Sequence, residues 1–127
     1  LDAIDQDDIN STSIVMMISY KDLKILICGD APGECEQKLA ESDYDMKADI
    51  YRISHHGSPS STGNDIINSV DADIAIISVG YNNYGHPSGE VINRLVTSGS
   101  KVCRTDVNGA VIISYNGRRA LLRTMLP

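Results

Sequence analysis

The 127 residues are 42% hydrophobic yet hold no Trp and no Phe, so the core of one domain must be filled by aliphatic side chains, helped by six Tyr. A net charge of −6 argues against a domain that grips nucleic acid through a broad basic face, because phosphate neutralisation needs clustered Lys and Arg. It leaves room for a metal-centred phosphodiesterase, whose cations come with the site. Cys28, Cys35 and Cys103 form no CxxC, which speaks against a disulfide framework or a zinc knuckle and mildly favours a reducing compartment.

Residues 1–8 are acidic and aperiodic and read as a loose lead-in, and a chain that opens on Leu1 reads as a piece of something longer. After a polar turn at Asn10–Ser13, Ile14–Tyr20 is a near-continuous apolar strand. Lys21-Asp22 turns it back into Leu23–Cys28, apolar on both faces and therefore central in its sheet. That strand stops at Gly29-Asp30, a carboxylate just past a buried strand end, where open sheets gather ligands. Asp30 would equally serve to cap the next helix, Gly33–Ser42, whose first turn offers Glu34 and Glu36 to the positive end of the dipole.

Ile50, Tyr51, Arg52 and Ile53 alternate as a half-buried strand within Ala48–Ser54. The alternation breaks into His55, His56 and Gly57 and then a Ser/Pro-rich loop beginning at Ser58. Imidazole is the commonest metal ligand and the usual general base near neutral pH, and Gly57 lets the backbone turn tightly or approach an ion or phosphate. The bland alternative is a polar turn whose histidines face water. Ser60–Thr62 with Asn64-Asp65 supply caps for a helix over Asp65–Val70.

Asp73–Val79 is a third buried strand, and its end runs into a polar, aromatic loop with the last histidine, His86. Pro87–Ser98 is a helix with Val91, Ile92, Leu95 and Val96 on one face and Gly99 as its cap. Lys101–Arg104 is a short strand and Thr105–Asn108 a turn. A closing hairpin joins Ala110–Tyr115 to Arg118–Thr124 across Asn116-Gly117. The order predicts one mixed α/β domain over residues 1–127, with helices packed on a sheet. No apolar run approaches the length of a membrane span. Strand ends that gather Asp30, His55, His56 and His86 are the setting for a hard or borderline cation such as Zn²⁺ or Mn²⁺.

Taken in order, NSTSIVMMISY, KILICGD, DIYRISHHGSPSS, IAIISVGYNNYGHP and VCRTDVNGAVII resemble the C-terminal half of metallo-β-lactamase-fold hydrolases, most closely the soluble domain of ComEC-type competence proteins. The resemblance runs from about Asp8 to Ile113. It implies one βα half of an αββα sandwich. In that family an Asp after a buried strand bridges two divalent metal ions, which maps to Asp30. A later His closes the second metal site and maps to His55 or His56. Relatives with His before Gly lean towards His56, and the other imidazole would orient substrate. The resemblance gives His86 a contact with the scissile phosphate or the leaving group. It puts Gly57, Ser58, Thr105 and Asp106 at the substrate rim, with Gly109 allowing a close turn.

One departure carries weight: the family's HxHxDH motif has no counterpart among the three histidines. The resemblance therefore implies half of a hydrolase, inactive or nearly so alone, because a water needs well-held metal before it can attack at neutral pH. It also implies an apolar sheet face open to the missing N-terminal half or to a second copy. The parent would be a phosphodiesterase or nuclease, DNA a candidate substrate, and this chain the soluble domain of a bacterial membrane protein. A competing expectation is a non-catalytic module that oligomerises or binds a partner through the same face. A receiver-like role for Asp30 fits poorly, since Asp7-Asp8 stand too far ahead of a buried strand.

Overall fold

Strands that are apolar on both sides must be covered on both sides, and the chain meets that demand in two ways. The computed structural model describes residues 9–127, so the lead-in over residues 1–8 lies outside it. After a short 3₁₀ turn at Ile9–Thr12, the elements are β1 (Met16–Tyr20), β2 (Leu23–Ile27), α1 (Gly33–Ala40), β3 (Ile50–Arg52), α2 (Asn64–Val70), β4 (Ile74–Ile77), α3 (Gly89–Thr97) and β5 (Lys101–Arg104). The one-turn helix α4 (Thr105–Asn108) and the hairpin β6 (Val111–Tyr115) and β7 (Ala120–Thr124) close the chain. This is the mixed α/β class that the sequence predicts.

The main sheet runs β1-β2-β3-β4-β5. β1 and β2 are antiparallel, and β2 to β5 are parallel. Register assigns the faces, because side chains alternate along a strand. Leu26, Tyr51 and Ala75 align across one face and join Ile66, Ile67, Val70, Val91 and Leu95 of α2 and α3 in the core. The opposite face carries Ile18, Ile25, Ile50 and Ile74 in one row. There the β6–β7 hairpin stands over the sheet, with Tyr20 and Tyr115 edge to face at 6.1 Å between centroids. Ile50 beneath it is 1% exposed, whereas Met16, Ile18 and Tyr20 on the outer strand keep 45%, 44% and 58% of their surface. The open apolar face expected from the sequence is thus half covered by the chain's own hairpin.

Local rules set the helix ends. The Ser88 side chain accepts from the Val91 N–H at 3.2 Å and starts α3. Gly99 (φ +93°) ends it, with the Gly99 N–H on the Val96 carbonyl and the Ser100 N–H on the Leu95 carbonyl, both at 3.1 Å. Two expected caps are absent. α1 begins after Pro32 and α2 after Gly63, neither with a side-chain cap, so Asp30 does not cap α1 and Ser60–Thr62 do not cap α2. Asp30 lies too early to reach the first turn of α1, and Ser61 and Thr62 are spent elsewhere.

The Ser61 hydroxyl bonds the Ser54 and Ser58 carbonyls, and Thr62 joins a cluster around Glu36. This carboxylate is 1% exposed, not the solvated first-turn charge that its helix position predicts. It accepts hydrogen bonds from the Tyr51 hydroxyl, the Ser54 hydroxyl and the Thr62 N–H. Three donors from β3 and the loop after it replace the water that a buried charge gives up. Burial, and then the Glu36 charge, push the Tyr51 hydroxyl well above its ordinary pKa. The same two causes push the Cys28 thiol up to about 12, so this cysteine is inert at neutral pH. Replacing Glu36 by Ala orphans three buried donors and should lower stability by about 3 kcal/mol or more, read as a fall in the urea midpoint. An unchanged midpoint would show that the network contributes nothing.

Candidate functional site

Strands β2 to β5 run parallel and end on one edge, so the loops after them meet there. Asp30 follows β2, the His55-His56-Gly57 turn follows β3, and the His86 loop follows β4.

The turn after β3 has an uncommon backbone. His55 (φ +46°, ψ +40°) and His56 (φ +54°, ψ +22°) are left-handed, and Gly57 continues at φ +78°. Non-glycine residues hold such angles only where the surroundings over-determine them, at about 1–3 kcal/mol each. Here the His55 N–H donates to the Gly29 carbonyl at 3.0 Å, and the Ser88 N–H donates to the Gly57 carbonyl at 2.9 Å. The Ser61 hydroxyl reaches the Ser54 and Ser58 carbonyls at 3.3 and 3.1 Å, while Glu36 holds the Ser54 side chain. The turn is pinned at both ends.

The result aims His56 at Asp30. His56 Nδ1 lies 2.6 Å from the Ser78 carbonyl oxygen. A carbonyl only accepts, so Nδ1 carries the proton and Nε2 of the neutral ring carries a lone pair. That Nε2 faces Asp30 Oδ1 at 3.5 Å, with both side chains 41% exposed. Two electron-rich atoms at this separation call for a second ring proton or a cation between them. The Asp30 N–H is held by the Ser13 hydroxyl at 3.1 Å. Arg52, which the sequence marks only as the polar beat of a strand, donates from Nη1 to the Gly29 carbonyl at 2.6 Å and stands 4.0 Å from Asp30 Oδ1.

His55 points the other way. Its ring meets that of His86 with centroids 5.7 Å apart at 68°, and Nδ1 of each is buried without a hydrogen-bond partner among the described residues. His86 stays below its ordinary pKa of 6.5 because burial, then the charges of His55 and His56, disfavour its cation. Gly57 and Ser58 are buried behind the turn, with the Ser58 and Ser60 hydroxyls 2.9 Å apart. Thr105 Oγ1 donates to the Val79 carbonyl at 2.6 Å and accepts from the Val79 N–H at 2.7 Å. Asp106 is clamped by Arg104 at 3.0 and 2.6 Å, a hydrogen bond that holds its carboxyl below the usual range.

Asp30 and His56 thus form a carboxylate–imidazole pair whose ring is oriented through its far nitrogen. Among the described residues no group of three or more His, Cys, Asp and Glu side chains could hold a metal ion. No helix among them is long and apolar enough to cross a membrane.

No protein-family model matches the chain. It is 36% identical over 110 residues to ComE operon protein 3 of Bacillus subtilis, covering 86% of this chain and 14% of that protein. It is 32% identical over 106 residues to Competence protein ComA of Neisseria gonorrhoeae, covering 82% of this chain and 15% of that one. Recombination protein 2 of Haemophilus influenzae is 35% identical over 107 residues, 84% of this chain and 13% of its own length. The chain is related to competence proteins. It spans about one-seventh of the length of the curated relatives it matches.

Gly57 and Gly85 allow a paired test of how firmly the histidine turn is held. Their φ angles are +78° and +77°, but a Cβ on Gly57 would stand 2.7 Å from Pro87 Cβ, whereas one on Gly85 would meet nothing within 4 Å. Gly85→Ala should cost about 1 kcal/mol and Gly57→Ala at least about twice that, measured by urea unfolding; equal losses would show a turn free to move. The His86 shift carries a sign as well. A ring that is harder to protonate when folded takes its proton first in the unfolded chain, so stability is lost as pH falls below 6.5. His86→Gln should remove that part of the slope between pH 7 and pH 5, about one pH unit to either side of an ordinary His; an identical slope in the variant would place the loss elsewhere.

Proposed function

We propose that the chain is the C-terminal half of a metal-dependent hydrolase of the metallo-β-lactamase type, acting on phosphodiesters, DNA among them. The observation that carries this is the approach of His56 Nε2 to Asp30 Oδ1 at 3.5 Å, behind a ring fixed through Nδ1. It favours His56 over His55 as the ligand, because His55 faces His86 instead. A divalent ion held there would polarise a phosphate oxygen and lower the pKa of a bound water. The chain's own residues do the rest. Arg52 and Ser13 fix the Gly29-Asp30 corner, and Thr105 and the Arg104–Asp106 clamp stiffen the rim. His86, disposed to be neutral, presents an imidazole to the phosphate or the leaving group. The remaining ligands would come from outside these residues, which span about one-seventh of the length of the relatives they match.

Met16, Ile18 and Tyr20, exposed on the outer strand, favour a second reading in which this face binds a partner and the domain has no chemistry. Titration with Mn²⁺, followed by water-proton relaxation, separates the two. Weak binding should fall about tenfold or more in Asp30→Ala and in His56→Ala and survive in His55→Ala. Binding that depends on His55 would reverse the ligand assignment. Binding indifferent to all three substitutions would leave the partner-binding module as the better account.

A further inference from the structure

The loop between β4 and α3 does two things that a solvated connection does not need to do. The Asn82 side chain donates to the Gly80 and His86 carbonyls at 2.9 and 2.8 Å and accepts from the Tyr84 and His86 N–H groups at 3.0 and 3.1 Å. One amide thus fixes the whole loop from inside. On that fixed frame Tyr81 is 98% exposed and Tyr84 83%. Tyr84 lies nearly parallel to His86, 26° between planes and 6.1 Å between centroids. Single exposed aromatic rings need no explanation. Tyr84 on this braced loop, already stacked on an imidazole of the candidate site, offers its open face to another flat ring, and Tyr81 stands exposed three residues before it.

We propose that Tyr81 and Tyr84 form a stacking platform for unpaired nucleobases, a subsite for single-stranded nucleic acid at the His55–His86 corner of the candidate site; the proposal rests on the phosphodiester reading of the Asp30–His56 pair. Charge makes stacking the mode of capture. With 17 acidic and 11 basic residues, the chain cannot track a strand through phosphate contacts alone, whereas base–aromatic stacking is indifferent to sequence and needs no cationic groove. A duplex keeps its bases stacked and hides their faces, so only an unpaired strand can use the platform.

The test uses the chain as it stands, with fluorescein-labelled oligothymidylate at low ionic strength and anisotropy as the readout. The chain has no Trp, so tyrosine emission can be followed without a tryptophan background. Oligothymidylate should bind and quench. Tyr81→Ala and Tyr84→Ala should each weaken binding about fivefold to a hundredfold, and Tyr81→Phe and Tyr84→Phe should restore it, since stacking does not use the hydroxyl. An abasic strand and a duplex of equal length should bind more weakly than oligothymidylate, and the salt dependence should be shallow. Circular dichroism should be unchanged in all variants, because both rings face solvent.

No quenching, equal binding of the abasic strand, or full binding by the double alanine variant would overturn the platform; the first would also be expected if the rings pack against another protein segment. The metal reading fails separately. Should Asp30→Ala still hold Mn²⁺ while the tyrosine variants lose the strand, the platform stands and the metal site falls. Should Asp30→Ala lose Mn²⁺ while the tyrosine variants keep the strand, the metal site stands and the platform falls.

Discussion

The structure depends on one buried carboxylate. Glu36 comes from α1, but its three hydrogen-bond donors come from β3 and from the two sides of the histidine turn. It therefore ties the first helix, the central strand and the candidate site into one unit. Among the described residues it has no cation to pair with, and the arrangement holds because each donor is itself fixed: Tyr51 in the sheet, Ser54 at the strand end, Thr62 by its backbone at φ +55°. A charge held this way transmits position well, since moving any partner exposes a cost of about 1–3 kcal/mol per lost bond.

What is transmitted is the aim of two imidazoles. Left-handed backbone at His55 and His56 throws successive side chains in directions that a strand or a right-handed turn would not give. One ring turns to Asp30 and the other to His86. The two histidines are adjacent in the chain but belong to different small constellations. His56 has its proton placed by a carbonyl, and His55 shares a corner with a ring whose cation is disfavoured. Division of labour between neighbouring residues is what the turn achieves.

Much of this is legible in the sequence because it follows local rules. The strands of the sheet announce themselves by aliphatic runs, and the closing hairpin by Asn116-Gly117. The end of α3 is marked by Gly99. That Asp30, His55, His56 and His86 stand at strand ends follows from the same alternation. The choice between His55 and His56 does not, since it depends on a left-handed backbone that non-glycine residues seldom adopt and on the Ser78 carbonyl, 22 residues away. Glu36 is hidden for a related reason. In a helix's first turn an acid suits the dipole, and nothing nearby says that donors 15, 18 and 26 residues on will bury it. Arg52 looks like the wet side of a strand because alternation reports which face a residue takes, not what waits at the end of that face.

The order of the sheet has a consequence for how such a unit assembles. Each strand pairs with its neighbour in the chain, β1 with β2 and so on to β5, so every new strand adds to an edge that is already laid down. Loop closure is never longer than one helical crossover, which keeps the entropic barrier to each step low. During synthesis the sheet can grow from β1 onward as residues emerge, with the hairpin arriving last to shield the face that the helices leave open. A unit built like this can complete its sheet without waiting for any other part of a chain.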